Sequence, residues 1–104
     1  VADDSNSRSF YRLRYPVPER PKLLVGGETY IVTELSEGGM RIEAKAIEKA
    51  IDGTLLLKDG TKLKVKGIFG RTVEREMVIV ELTGVSFGVL MNEQRRLLKR
   101  YLTV

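Results

Sequence analysis

Thr54-Leu55-Leu56-Leu57-Lys58-Asp59-Gly60-Thr61-Lys62-Leu63-Lys64-Val65-Lys66 is the stretch whose reading decides the fold. An apolar run leads into Asp-Gly, a pair that readily supplies the two positive-φ residues of a type I′ turn, and an alternating run leads out. That pattern is a β-hairpin. In its second arm Leu63 and Val65 leave one face and Lys62, Lys64 and Lys66 the other, because successive side chains on a strand alternate. The lysines are expected to face water and to blunt an exposed edge. Gly67 and Gly70 interrupt the run beyond, as bulges do where a sheet curves into a barrel. After a turn at Glu74-Arg75-Glu76, Met77 to Leu82 is nearly continuous apolar sequence. Gly84 to Leu90 then resumes alternation, with Val85, Phe87 and Val89 on one face, and reads as more strand.

The same signals run upstream. Lys22 to Val25 and Glu28 to Leu35 flank Gly26-Gly27, a second hairpin turned by a glycine pair. Met40 to Lys45 puts Met40, Ile42 and Ala44 on one face and Arg41, Glu43 and Lys45 on the other, the pattern of a half-buried strand. Lys45 to Asp52 is too short for its helical spacing to count and reads as a connection. At the far end the period changes. Asn92 suits an N-cap, and Glu93 to Leu102 places Leu97, Leu98, Tyr101 and Leu102 opposite Arg95, Arg96, Lys99 and Arg100, an amphipathic helix. The expected fold is mainly β: a six-stranded antiparallel β-barrel over 22–91, a C-terminal α-helix over 92–104 and an extended N-terminal arm over 1–21. With 104 residues, one domain with a single modest core accounts for the whole chain.

Composition excludes several chemistries. The chain has no cysteine and no histidine, which removes disulfides, thiol nucleophiles, the usual zinc ligands and histidine acid–base catalysis. No apolar run approaches the roughly 18 residues of a membrane span, and Val1-Ala2-Asp3-Asp4 has no signal-peptide character, so a soluble intracellular setting is expected. Eighteen basic against fourteen acidic residues leave a net charge of +4, which favours an anionic partner.

Two stretches carry candidate binding chemistry. Residues 1–9 are polar and aperiodic, but Arg8-Ser9-Phe10-Tyr11-Arg12-Leu13-Arg14-Tyr15 interleaves three arginines with three aromatics, and Pro16, Pro18 and Pro21 keep the chain beyond Tyr15 extended. An arginine fork donates two parallel hydrogen bonds to a phosphate or a guanine edge and stacks on rings, which lysine does poorly. An ordinary solvated basic arm reads the same way. The second stretch is Thr33-Glu34-Leu35-Ser36-Glu37-Gly38-Gly39-Met40-Arg41-Ile42. On an extended strand Glu34 and Ser36 share a face and Leu35 takes the other. Gly38 and Gly39 are able to adopt positive φ and, lacking side chains, let a flat ligand approach the backbone. A plain glycine-pair hairpin with two solvated polar neighbours is the alternative.

Taken in order, Arg8-Ser9-Phe10-Tyr11-Arg12 and Glu34-Leu35-Ser36-Glu37-Gly38-Gly39 resemble the PilZ domain family. That family carries Arg-x-x-x-Arg in an N-terminal switch segment, then Asp/Asn-x-Ser-x-x-Gly on a β-barrel, and binds the bacterial second messenger cyclic di-GMP. The likeness extends through Gly67 to Arg71, Gly84-Val85-Ser86-Phe87 and the closing helix. It implies that Arg8 and Arg12 clasp phosphates and guanine edges, and that Ser36 and Gly39 stand at motif positions. Glu34 departs from the pattern, one methylene longer than the Asp or Asn expected there. Arg14, Gly38 and Arg41 are additional candidates by proximity. The implied protein is a bacterial, cytoplasmic effector that is not an enzyme. It holds no cofactor or metal, changes conformation on binding cyclic di-GMP and passes the signal to a partner protein or fused domain. A PilZ-like adaptor that no longer binds nucleotide is the alternative. A barrel binding single-stranded nucleic acid through Lys62, Lys64, Lys66 and the helix is disfavoured, because the aromatics that would stack bases are thin on the strands.

Overall fold

A computed structural model of the chain describes residues 11–45 and 49–102. Arg8 lies outside the described residues. The strands are β1 (Leu13–Arg14), β2 (Lys22–Val25), β3 (Glu28–Leu35), β4 (Gly39–Glu43), β5 (Ala50–Leu56), β6 (Lys62–Val73) and β7 (Glu76–Thr83), followed by helix α1 (Phe87–Leu102). Six of them close a ring in the order β3-β2-β5-β6-β7-β4, every neighbouring pair antiparallel, with β3 pairing β4 to shut it. The expected mainly-β barrel with a C-terminal helix is the fold. Its interior is filled by the inward set of each strand, among them Leu23, Val32, Leu35, Ile42, Leu55 and Ile79, all fully buried. Each such side chain contributes about 1.5–3 kcal/mol by leaving water.

Bulges set where the alternation changes phase. Val32 pairs with Ile42 but Glu34 pairs with Arg41, so Thr33 is an extra residue in β3. Without it Glu34 would follow Val32 into the core. With it Leu35 turns inward and Glu34 and Ser36 stay outside. Gly70 plays the same part in β6, where Phe69 pairs with Ile79 and Arg71 with Val78. A third bulge, on β7 opposite Gly67, holds Glu81 at φ 51°. The glycine interruptions read from the sequence therefore fall at real irregularities.

Several expectations change. The arm leaves the extended path at a single 3₁₀ turn, Val17–Glu19, and it is docked before that turn: β1 pairs with the end of β3, and Leu13 and Tyr15 are buried while Arg12 and Arg14 face out. Alternation along Arg12-Leu13-Arg14-Tyr15 gives it an apolar side, and burying that side docks it. Gly84 to Leu90 is not strand. Ser86 caps a helix that begins at Phe87, its Oγ accepting from the Val89 N–H at 3.2 Å, and Phe87 is 53% exposed. Leu98 and Tyr101 are each a little under half exposed, so the buried stripe of α1 is Leu90, Glu93 and Leu97. At Asp59-Gly60 only Gly60 has positive φ, and the Gly60 N–H donates to the Leu57 carbonyl at 3.0 Å, a type I turn closed by a glycine bulge instead of type I′. Asp59 accepts from the Thr61 N–H, which holds its carboxyl below the usual range. Ala50 to Asp52, expected in a connection, already belongs to β5.

A buried charge network fixes the segment after β1 to α1. Tyr15 donates to Glu93 at 2.8 Å, and Arg96 donates to Glu93 at 3.0 Å and to Glu19 at 2.6 Å. Glu19 also accepts from Tyr101 at 3.1 Å and pairs with Arg100 at 2.8 Å. Hydrogen bonding to Arg96 lowers the Glu19 carboxyl, and burial followed by the Glu93 charge pushes the Tyr15 phenol far up.

Candidate functional site

A cleft of about 270 Å³ opens on the outside of the β3–β4–β7 wall, lined by Arg12, Glu34, Ser36, Gly38, Gly39, Arg41, Arg71 and the edge of Val78 to Val80. Arg12 reaches it because β1 lies in register on the end of β3, Leu13 opposite Leu35 and Arg14 opposite Glu34. Glu34 and Ser36 reach it because the Thr33 bulge turns them outward. Arg41 stands opposite Glu34 on β4. Of the candidates among the described residues, every one except Arg14 therefore lines this one cleft.

Ser36 shapes the turn as well as the wall. Its N–H and its hydroxyl both donate to the Gly39 carbonyl, at 2.9 and 3.2 Å, leaving hydroxyl lone pairs to accept from a ligand. Gly39 is needed for a reason other than backbone twist: positive φ occurs at Gly26, Gly27, Gly60 and Gly84 instead. A Cβ on Gly39 would stand 2.8 Å from the Ile79 carbonyl oxygen of β7. Gly39→Ala is accordingly expected to lose about 1–3 kcal/mol in urea unfolding, because backbone must move to make room. A variant as stable as the parent would show that β4 and β7 separate freely here.

Arg14 lies beside the cleft, 3.7 Å from Glu34 and 3.4 Å from Glu76. Glu76 in turn stands 2.9 Å from the Arg41 Nε, the two buried atoms aligned too poorly for a hydrogen bond. Glu34, Arg14, Glu76 and Arg41 thus alternate in sign along the rim. A wider, open cleft on the other side of this row is bounded by Arg14, Arg41, Lys45 and Arg75 together with the acids Glu43, Glu74 and Glu76.

Arg71 is a lining residue that the sequence motifs do not single out. A signal for it exists: it follows Gly70, and a bulge re-aims the side chain next to it. Among the described residues, with Arg12 and Arg41 it gives the cleft three guanidinium groups against one carboxylate, Glu34. Such a lining suits an anion that also offers N–H donors. Among the described residues no cluster of acidic side chains could hold a metal ion, and no helix is long and apolar enough to cross a membrane.

No curated protein and no solved structure matches the chain. The family comparison does: residues 6–103 match the PilZ domain, a family of ligand-binding and adaptor domains whose known role is cyclic di-GMP signalling. With residues 6–103 matched, on a closed antiparallel barrel followed by a C-terminal helix, this chain belongs to the PilZ domain family.

Proposed function

We propose that this chain is a cyclic di-GMP sensor with no chemistry of its own, which binds the nucleotide at the arginine-lined cleft and signals to a protein partner or fused domain. The observation that carries the reading is the convergence of Arg12 with Glu34, Ser36 and Gly39 on one cleft, although more than twenty residues separate Arg12 from the motif. Guanidinium forks suit the phosphates and the guanine O6 and N7, and the Glu34 carboxylate accepts from guanine N1–H and N2–H. At about 270 Å³ the cleft lies just below the roughly 300–1,000 Å³ of sites that enclose a whole ligand. It accommodates part of a nucleotide, and Arg8 on the preceding segment would complete the clasp.

Titration calorimetry with cyclic di-GMP, GMP and cyclic AMP tests the reading. Only the first is expected to bind, with affinity falling as salt rises because surface arginine–phosphate pairs are screened. Equal affinity for all three would overturn it. One feature favours the adaptor alternative: Arg14 and Arg41 already have carboxylate partners in Glu34 and Glu76. The Glu34 series separates the two. Glu34→Ala is expected to weaken binding roughly 10-fold, by loss of a charged acceptor, and Glu34→Asp to hold or raise affinity. If alanine binds more tightly than the parent, the carboxylate opposes the nucleotide.

A further inference from the structure

The wall of the barrel opposite the candidate site carries a different kind of charge. In the ring β3-β2-β5-β6-β7-β4, strand β5 stands diametrically across from β4, which bears Gly39 and Arg41. Around β5 the outward positions fall into rows: Lys22, Leu56 and Lys62 in register, then Leu24, Thr54 and Lys64, then Asp52 and Lys66. All four lysines are exposed. Asp52 is the one acid on these three strands, and it approaches Lys66 only to 4.0 Å, both side chains about three-quarters exposed. Strands lie roughly 4.8 Å apart and alternate residues roughly 6.7 Å apart, so the four ammonium groups occupy a field of about 10 by 13 Å. At its edge a cleft of about 250 Å³ is lined, among the described residues, by Arg20, Lys22, Leu56, Leu57, Lys58 and Gly60, with three cations and no acid.

We propose that this lysine wall is a docking surface for an anionic membrane, and that the barrel rests on lipid headgroups with its arginine cleft turned away from them. Three properties choose the bilayer over other polyanions. Protein interfaces are centred on aromatic and arginine anchors and are poor in lysine, whereas this wall has no aromatic side chain in its rows. Sequence-tolerant nucleic-acid surfaces need rings on which bases stack, and none is present there. Duplex recognition needs an element that enters a groove, while the outside of a barrel is convex and meets a plane over more of its area than another cylinder. Hydrated point charges on flexible stems match mobile headgroups that need no fixed geometry. Docking through this wall is independent of nucleotide binding.

Co-sedimentation of the 104-residue chain with phosphatidylglycerol-containing vesicles and with pure phosphatidylcholine vesicles tests the proposal. Each lysine near an anionic surface is worth about fivefold in partitioning, so Lys62→Gln/Lys64→Gln should weaken binding to the anionic vesicles about 25-fold. Arg95→Gln/Lys99→Gln, which removes the same charge from the outer side of α1, should change it by less than about threefold. Binding should fade at high salt, and neutral vesicles should bind nothing. Four results would overturn the proposal: no binding to anionic vesicles, equal loss in the two variants, tighter lysine-dependent binding to duplex DNA than to vesicles, or salt-independent binding. All these exposed substitutions should fold, and calorimetry with cyclic di-GMP on the lysine variant should match the parent, keeping the two sites' outcomes distinct.

Discussion

Replacing Arg96 with alanine is expected to lower the stability of the fold by about 3 kcal/mol, the low end of what breaking a buried ion pair costs. The guanidinium lies between two carboxylates whose side chains are only 6% and 2% exposed, Glu19 and Glu93. Removing it leaves both charges desolvated with fewer donors. Tyr15 still serves Glu93, and Arg100 and Tyr101 still serve Glu19, which keeps the loss from reaching the upper end of the range. For a domain of this size 3 kcal/mol corresponds to a fall in Tm of roughly 12–24 °C. Arg100→Ala is the control: that side chain is 65% exposed, and the same kind of removal should cost no more than about 1 kcal/mol. Urea unfolding of both variants decides the matter, and an Arg96→Ala loss below 1 kcal/mol would mean that water replaces the guanidinium.

The same network gives stability a pH dependence on two sides. Hydrogen bonding to Arg96 depresses the folded-state carboxyl of Glu19, so its contribution is present above the unfolded value of about 4.3 and is lost as pH falls toward the folded value. Burial raises the Tyr15 phenol, so its contribution is intact below the unfolded value of about 10 and is lost as pH rises beyond it. Urea midpoints measured from pH 3 to pH 11 should therefore decline at both ends. A Glu19→Gln variant should flatten the acid limb alone.

The strands are legible in the sequence because their constraint is local. Alternation and turn chemistry locate both hairpins, and glycines mark two of the bulges, at positions where a Cβ would press on the neighbouring strand. Where local signals compete, the stronger-looking one misleads: Val85, Phe87 and Val89 alternate like a strand, yet Ser86 three residues before Val89 is also a helix cap, and the cap prevails, leaving Phe87 exposed. The network is illegible. Tyr15 and Glu93 are 78 residues apart, Glu19 and Arg96 are 77 apart, and nothing in either neighbourhood shows that a closed barrel brings them together. The cleft falls between these cases. Its motif residues follow from the spacing around Gly39, while the phase change at Thr33 that aims them outward and the bulge that presents Arg71 depend on strand pairing.

Arg12→Ala is expected to weaken cyclic di-GMP binding on the order of 100-fold with almost no change in stability. Arg12 is exposed and lines the cleft, while Leu13 and Tyr15 on the alternate positions carry the packing that docks this segment. An exposed side chain of this kind is worth no more than about 0.5 kcal/mol to the fold. Against a nucleotide it offers two charge-assisted hydrogen bonds of roughly 1.5–3 kcal/mol each, and losing even part of that sum is a 100-fold effect. Arg12→Lys keeps the charge but not the planar fork, so it should recover about tenfold of the loss if phosphate attraction matters and none if only the bidentate guanine edge does. Calorimetry paired with thermal melts reads both quantities on each variant. A large fall in Tm for Arg12→Ala would assign the arginine to the fold, and unchanged affinity at unchanged Tm would remove it from the site and, with it, the reading of this cleft as the place where the nucleotide binds.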